Sequence, residues 1–189
     1  GTSGSTGIAA ITVGDPTDPQ TQLGPLVNRR QQQRVLDYIR IGTEEGARVV
    51  VGGTERPEGV DHGYYVRPTL FTDARNSMRI AQEEIFGPVL CIIKYEDDDD
   101  ALRIANDSSL GLAGSVWTAD IQKGYEMAGA LRSGALGVNN HGFDPATPLA
   151  GRKNSGIGCE RGLEAVYDYV TPRAILVPSE AEVAAPYII

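Results

Sequence analysis

The sequence predicts an α/β fold, a parallel or mixed sheet covered by helices on both faces. Short β-branched or apolar runs alternate with stretches of helical periodicity along the chain, and Gly- or Pro-containing corners separate them. The hydrophobic share, 41% of 189 residues, is enough to bury one sizeable core, so a single domain is expected.

The elements follow in order. Residues 1–7 (Gly-Thr-Ser-Gly-Ser-Thr-Gly) are small and polar and read as a flexible linker, with residues 1–12 outside the body of the fold. Asp15-Pro16-Thr17-Asp18-Pro19 is rich in turn formers, because proline presets φ and aspartate bonds its own backbone. Gly24-Pro25-Leu26 makes a second corner. From Asn28, a capping residue, the pattern is helical, with Val35, Leu36 and Ile39 as its apolar stripe and Gly46 as its stop. Residues 47–51 form a β-branched strand. Residues 64–71 read as a strand broken by Pro68, which favours an edge or a bulge.

Residues 76–82 make a short helix, and residues 89–95 a buried strand. Residues 97–106 are helical, with Ala101, Leu102, Ile104 and Ala105 facing inward. Gly111-Leu112-Ala113-Gly114 is a tight turn launching a strand over 115–118. A helix over 120–132 and a strand over 134–139 follow. Residues 173–177 (Arg-Ala-Ile-Leu-Val) read as a last strand whose apolar character suits pairing with another sheet edge, including one on a partner chain.

Charge and composition exclude several functions. Seventeen basic against twenty-five acidic residues give a net charge of −8, and no Lys/Arg run offers the footprint of a nucleic-acid binder. The acidic run at 96–100 is a solvated turn that favours a helix N-terminus. No apolar stretch is long enough to span a bilayer. Cys91 and Cys159 show no metal-ligand spacing, so no metal site is expected. Cys91, in an apolar run, reads as an inert core residue and Cys159 as the more exposed of the two. No disulfide is indicated, and a reducing cytoplasmic setting is expected.

Three segments could carry chemistry. In Glu83-Glu84-Ile85-Phe86-Gly87-Pro88-Val89, an acid and a flat ring stand at the lip of a strand, where α/β folds place ligands. Glu84 is either a carboxylate gripping two neighbouring hydroxyls or a helix-end acid facing water or capping an amide. Phe86 is either a ring packed on a cofactor or a core aromatic. The run Pro148-Leu149-Ala150-Gly151-Arg152-Lys153-Asn154-Ser155-Gly156-Ile157-Gly158 is Gly-rich but lacks the P-loop order. A tightly packed loop walling a substrate channel suits it better than a phosphate cradle. In the loop 139–147, His141 and Asp144 could form an acid–base pair, yet no nucleophile elbow accompanies them, and a lone loop histidine is usually polar surface. The residues alone contain no complete catalytic set.

Seven motifs in series carry a resemblance: Val13-Gly14-Asp15-Pro16, Leu23-Gly24-Pro25-Leu26-Val27, Gly63-Tyr64-Tyr65-Val66-Arg67-Pro68-Thr69-Leu70, the run from Glu83 to Val89, Ala105-Asn106-Asp107 with Leu110-Gly111-Leu112, Gly137-Val138-Asn139, and the run from Pro148 to Gly158. Their order resembles the aldehyde dehydrogenase superfamily, specifically the C-terminal part of its catalytic domain. The resemblance implies an open three-layer sheet, mostly parallel, with helices on both faces. Residues 13–171 would be catalytic-domain material, and 172–189 a tail with an oligomerisation strand that makes dimers or tetramers.

The implied activity is oxidation of an aldehyde to a carboxylic acid through a cysteine thioester, with NAD or NADP as hydride acceptor. By the same resemblance Glu84 holds the nicotinamide ribose hydroxyls, Phe86 packs near the nicotinamide, and Asn140, His141, Phe143 and Leu149 line the aldehyde entrance. The family's nucleophilic cysteine stands upstream of the Gly-Asp-Pro turn, with the general base and the dinucleotide-binding domain. Cys91 and Cys159 do not occupy that place, so no catalytic residue is assigned here and the chain alone is expected to be inactive. Leu149 replaces a usual aromatic, Ala150 and Arg152 replace a common glycine and aromatic, and Cys159 a frequent arginine. The alternative is a non-enzymatic, stand-alone interaction module on the same fold. A hydrolase built on His141 and Asp144 is a third and weaker reading.

Overall fold

The computed structural model describes residues 2–142 and 144–177, and the chain divides into two compact units, Gly1–Ser109 and Leu110–Ile189, where one domain is expected from the sequence. The division has a physical basis in burial. Among the described residues, every buried apolar side chain lies in the first unit.

The first unit opens with α1 (Thr2–Ala9), so the small polar residues expected as a linker are helical. α2 (Arg29–Glu44) begins where Asn28 accepts a hydrogen bond from the Gln31 amide at 2.9 Å, satisfying one otherwise orphaned donor. It ends ahead of Gly46, whose φ of +98° lies in the left-handed region that glycine tolerates best. Val35, Tyr38 and Ile39 recur at helical spacing and are buried. They pack with Val66, Phe71, Met78, Ile80 and Ile85 into the core.

β1 (Arg48–Val51), β2 (Thr69–Thr72) and β3 (Val89–Cys91) form one sheet in that order. β1 and β2 are antiparallel, with Val49 opposite Phe71 and a bulge between Val49 and Val51. β2 and β3 are parallel, with Thr69 opposite Val89 and Phe71 opposite Cys91. Pro68 precedes β2 and costs it no ladder bond. β2 is the central strand rather than an edge, and of the two positions expected, edge or bulge, the pairing shows a bulge, on β1 opposite Leu70 and Phe71. Two further helices belong to this unit, α3 (Arg79–Gln82) and α4 (Asp98–Asn106). The Asp97 side chain caps α4 through the Asp100 amide at 2.9 Å, as the acidic run suggests. None of its residues is fully buried, and Ala105 is exposed rather than inward.

The second unit contains β4 (Leu110–Gly111), β5 (Ala113–Val116), α5 (Ile121–Ala130), β6 (Ala135–Val138), β7 (Arg152–Lys153) and a 3₁₀ turn at Glu164–Tyr169. β5 and β6 are parallel, joined by the crossover helix α5, while β4 and β7 pair antiparallel. Gly111 thus sits in a ladder, not in the tight turn expected for 111–114. Asn139 locks the ends of the parallel pair: its amide accepts from Thr118 N and donates to Thr118 O, both at 2.7 Å.

The α/β class holds, but the sheets are mixed, two pairings parallel and two antiparallel. Connection type explains the balance. Parallel pairs need a crossover, which α3 and α5 supply; β1 and β2 are joined by a loop without a helix. Residues 171–177 have no regular structure, so the strand expected over 173–177 is absent from the described residues. A strand exists only with a ladder partner, and none pairs with this segment among the described residues. The rest of the tail lies outside the described residues.

Candidate functional site

The segment that ends α3 and leads into β3 holds two adjacent acids in different circumstances. Glu83 is tied down. Arg79, four residues earlier on α3, donates to its two carboxylate oxygens at 2.8 and 2.9 Å, and the Tyr38 hydroxyl donates at 2.5 Å. The hydrogen bonds from Arg79, then from Tyr38, lower the Glu83 carboxyl to about 2 from an ordinary 4.5. The bond to Glu83, with burial, pushes the Tyr38 hydroxyl up. The Arg34 guanidinium lies 4.9 Å from the centroid of the Tyr38 ring.

Glu84 is exposed, and among the described residues nothing bonds its carboxylate. Its carbonyl accepts from the Arg34 guanidinium at 2.6 Å. The acid therefore faces water without capping an amide. Phe86 is 69% exposed, which removes the core-aromatic alternative. Its φ of +56° is a conformation that bulky side chains rarely adopt. The Gln31 amide donates to the carbonyls of Ile85 and Phe86 at 3.0 and 2.9 Å. Gly87 follows because nothing larger fits: a Cβ there would run into the side chain of Val35. β3 stops at Cys91, with Leu90 55% and Ile92 44% exposed, so the buried strand expected over 89–95 is a short, half-covered one.

The second unit carries a cavity of about 370 Å³ beside β5 and β6. Asn140, His141 and Leu149 line it, together with Asp144, Pro148 and Arg161. Asn140 and His141 are exposed and Leu149 is half-buried. Phe143 lies outside the described residues. The Asn140 side chain accepts from the Gly142 amide at 2.8 Å, shaping the loop. Asp144 is engaged in its own turn, accepting from Ala146 N at 2.9 Å on the carboxylate and from Thr147 on the carbonyl. That use disfavours the His141–Asp144 hydrolase.

The Gly-rich run is tied by hydrogen bonds at several points, but it is mostly exposed rather than tightly packed, and only Pro148 and Leu149 of it line the cavity. Leu149 and Glu160 exchange two backbone hydrogen bonds at 2.7 and 2.9 Å. The Ser155 hydroxyl accepts from Gly111 N at 2.8 Å. A Cβ on Gly151 would stand 2.8 Å from the Ser155 backbone. Among the described residues there is no cluster of metal-ligating groups and no helix long and apolar enough to cross a membrane.

Both cysteines are free thiols and half-buried. Burial pushes the Cys91 thiol up. The sequence reading missed Gln31, Arg34, Tyr38 and Arg79. Only the four-residue spacings Arg34–Tyr38 and Arg79–Glu83 hint at them, since the other contacts join residues about fifty apart.

Comparison with known proteins places the chain in a family. The sequence model of the aldehyde dehydrogenase family matches residues 5–175. A betaine aldehyde dehydrogenase of Brucella anthropi is 42% identical over 179 residues, 94% of this chain and 37% of the relative. A Mycobacterium tuberculosis aldehyde dehydrogenase complexed with NAD+ superposes with a TM-score of 0.88 at 51% identity, over 90% of this chain and 35% of that one. A mutant Aldehyde Dehydrogenase C of Pseudomonas syringae, in complex with NAD+ and octanal, gives 0.90 at 40% identity, over 93% and 37%. The chain thus spans little more than a third of the length of the relatives it matches.

Proposed function

Because the chain belongs to the aldehyde dehydrogenase family, we propose that it forms part of an oxidoreductase that converts an aldehyde to a carboxylic acid with NAD+ or NADP+. In that reading the dinucleotide accepts hydride, while residues of this chain orient it. The observation that carries the reading is the pairing of an unengaged Glu84 carboxylate with an exposed Phe86 ring on one braced segment. A carboxylate suits a vicinal diol such as ribose, and a flat ring suits a nicotinamide face. The family resemblance assigns both roles.

Asn140, His141, Phe143 and Leu149 form the aldehyde entrance in this reading, supported for three of them by their place on the cavity wall. Residues 13–171 act as catalytic-domain material, whose sheets join an open three-layer, mostly parallel sheet in the whole protein. Residues 173–177 pair with a second copy in a dimer or tetramer. The exposed side chains of Ile175, Leu176 and Val177, 79%, 94% and 81% accessible, support that pairing. The setting is cytoplasmic.

Neither Cys91 nor Cys159 serves as nucleophile: burial disfavours the Cys91 thiolate, and the Cys159 sulfur faces the carbonyls of Glu160 and Arg161 at 3.6 and 3.9 Å. The thioester route needs a cysteine beyond these two.

In the full-length protein, with NAD+ and octanal or betaine aldehyde as probes, Glu84→Gln is expected to lower kcat about tenfold or more, because a loosely held ring leaves the hydride-transfer geometry. Unchanged kcat and KM for NAD+ would overturn the assignment. The 189-residue chain by itself is expected to reduce no NAD+ with either aldehyde, and robust turnover would refute the view that neither cysteine is the nucleophile. The same exposed tail favours a second reading, a non-enzymatic interaction module, which predicts partner binding with no dinucleotide affinity in any form of the protein.

A further inference from the structure

Of the side chains that line the cavity beside β5 and β6, those of His141, Asp144 and Arg161 can carry charge. Asp144 uses its carboxylate locally, accepting from Ala146 N at 2.9 Å, which draws its charge back into its own turn. His141 is neutral or positive, never negative. Arg161 is permanently positive and presents five N–H donors in a planar fork, enough to serve more than one acceptor. The acids nearest to it in sequence, Glu160 and Glu164, do not line the cavity.

The backbone fixes where the Arg161 side chain starts. Both of its neighbours are tied to the loop that walls the cavity. Glu160 exchanges hydrogen bonds with Leu149 at 2.7 and 2.9 Å, and Gly162 donates to the Pro145 carbonyl at 3.1 Å. Between those ties Arg161 is left-handed, at φ +64°, a conformation uncommon outside glycine and held here from either side. Gly162 leaves no room for a Cβ, which would stand 3.0 Å from Pro148 N and 2.7 Å from the Glu164 carboxylate. The Arg161 backbone is thus pinned to the wall, while its side chain is exposed rather than packed away. Leu136, Pro148 and Leu149 give the same cavity an apolar side, and its volume of about 370 Å³ accommodates a short carbon chain.

We propose that Arg161 sets the substrate class of this cavity: short aldehydes whose far end carries a carboxylate. The guanidinium grips that carboxylate, and the carbon chain lies along Leu136 and Leu149. An aldehyde with a cationic far end meets like charge there and is disfavoured. The inference rests on the reading that the cavity is the entrance for an aldehyde, and adds to it the charge of the aldehyde that enters.

The test compares kcat/KM of the full-length protein, with NAD+, for succinic semialdehyde, butanal and betaine aldehyde, whose far ends are anionic, neutral and cationic. The parent is expected to favour succinic semialdehyde over butanal about tenfold or more, and betaine aldehyde least. Arg161→Met keeps an unbranched stem and removes the charge. It should lower the ratio of succinic semialdehyde to butanal about tenfold, the worth of a charged hydrogen bond. Arg161→Lys should restore part of that ratio, and Arg161→Glu should turn the preference toward betaine aldehyde.

A parent that takes betaine aldehyde as readily as succinic semialdehyde would overturn the proposal. An equal loss on all three aldehydes in Arg161→Met would reduce Arg161 to a structural role and overturn it too. If the full-length protein forms NADH from none of the three, nor from octanal, the underlying reading fails whatever residue stands at 161, and the inference falls with it. Should Arg161→Met fail to fold, salt decides the matter in the parent. Its preference for succinic semialdehyde over butanal should shrink severalfold between about 0.1 M and about 1 M salt, because the guanidinium is exposed. A preference that salt leaves unaltered rejects Arg161 as its source.

Discussion

One turn of α3 brings Arg79 onto Glu83 in two hydrogen bonds, and Tyr38 adds a third. The carboxylate of Glu84, the next residue, has none among the described residues. The pairing leaves one formal negative charge beside Phe86 instead of two, so an approaching ligand meets a single available acceptor group. It also predicts a pH signature. The folded-state carboxyl of Glu83 lies at about 2, below its ordinary 4.5. A depressed acid stabilises the fold above its unfolded value and loses that contribution as pH falls through the folded one. The denaturation midpoints of the parent and of Glu83→Gln should therefore differ fully at neutral pH and converge between roughly pH 4.5 and pH 2. The side chains of this pair are about half exposed, so the gap should be modest and shrink in high salt. A gap that persists unchanged at pH 2 would remove the ion pair as its cause.

At the scale of elements, α2 serves both the core and the site. Val35 and Ile39 enter the core, while Gln31 and Arg34 grip the segment before β3. Asn28→Ala removes the cap and should cost about 1 kcal/mol by chemical denaturation. Gly87→Ala forces a Cβ into Val35 and should cost about 1–3 kcal/mol, because both sides of that contact are held. A stability equal to the parent's in the Gly87 variant would show that the segment yields easily.

Much of this scale is legible in sequence because its causes are local. Asn28, Asp97 and Asp120 cap the helices that follow them, and Gly46 ends α2. Strand ends are less legible, since a strand's length belongs to a pair: the β2–β3 ladder ends at Cys91 opposite Phe71, although β2 itself runs on to Thr72. The site divides the same way. Glu84 and Phe86 stand out through their motif, whereas Gln31, 54 residues before Ile85, gives no signal without the fold.

Across the whole molecule, burial is uneven. Val35, Ile39, Leu70 and Phe71 are nearly inaccessible, and no apolar side chain among the described residues of the second unit reaches that state. Amide exchange should accordingly be slowest in α2 and β2 and markedly faster in β5 and β6. Equal protection across both units would contradict that ordering. The composition could not reveal this imbalance, because it counts apolar residues without saying which of them meet.

The ladders also carry a consequence for how the chain acquires its shape. Val49 meets Phe71, Thr69 meets Val89, and each rung from Ala113–Ala135 to Val116–Val138 likewise joins residues some 22 apart. Leu110 must wait for Lys153, nearly twice as far along. Closing a loop twice as long costs only about 0.6 kcal/mol more, but that cost is met by two residue pairs where β5–β6 has four. The three-stranded sheet and the β5–α5–β6 crossover can thus assemble from contiguous stretches as the polypeptide lengthens, and β4–β7 closes after them. Pulse-labelled exchange during refolding should show amides of 113–138 protected before those of 152–153, and the reverse order would discard this sequence of events.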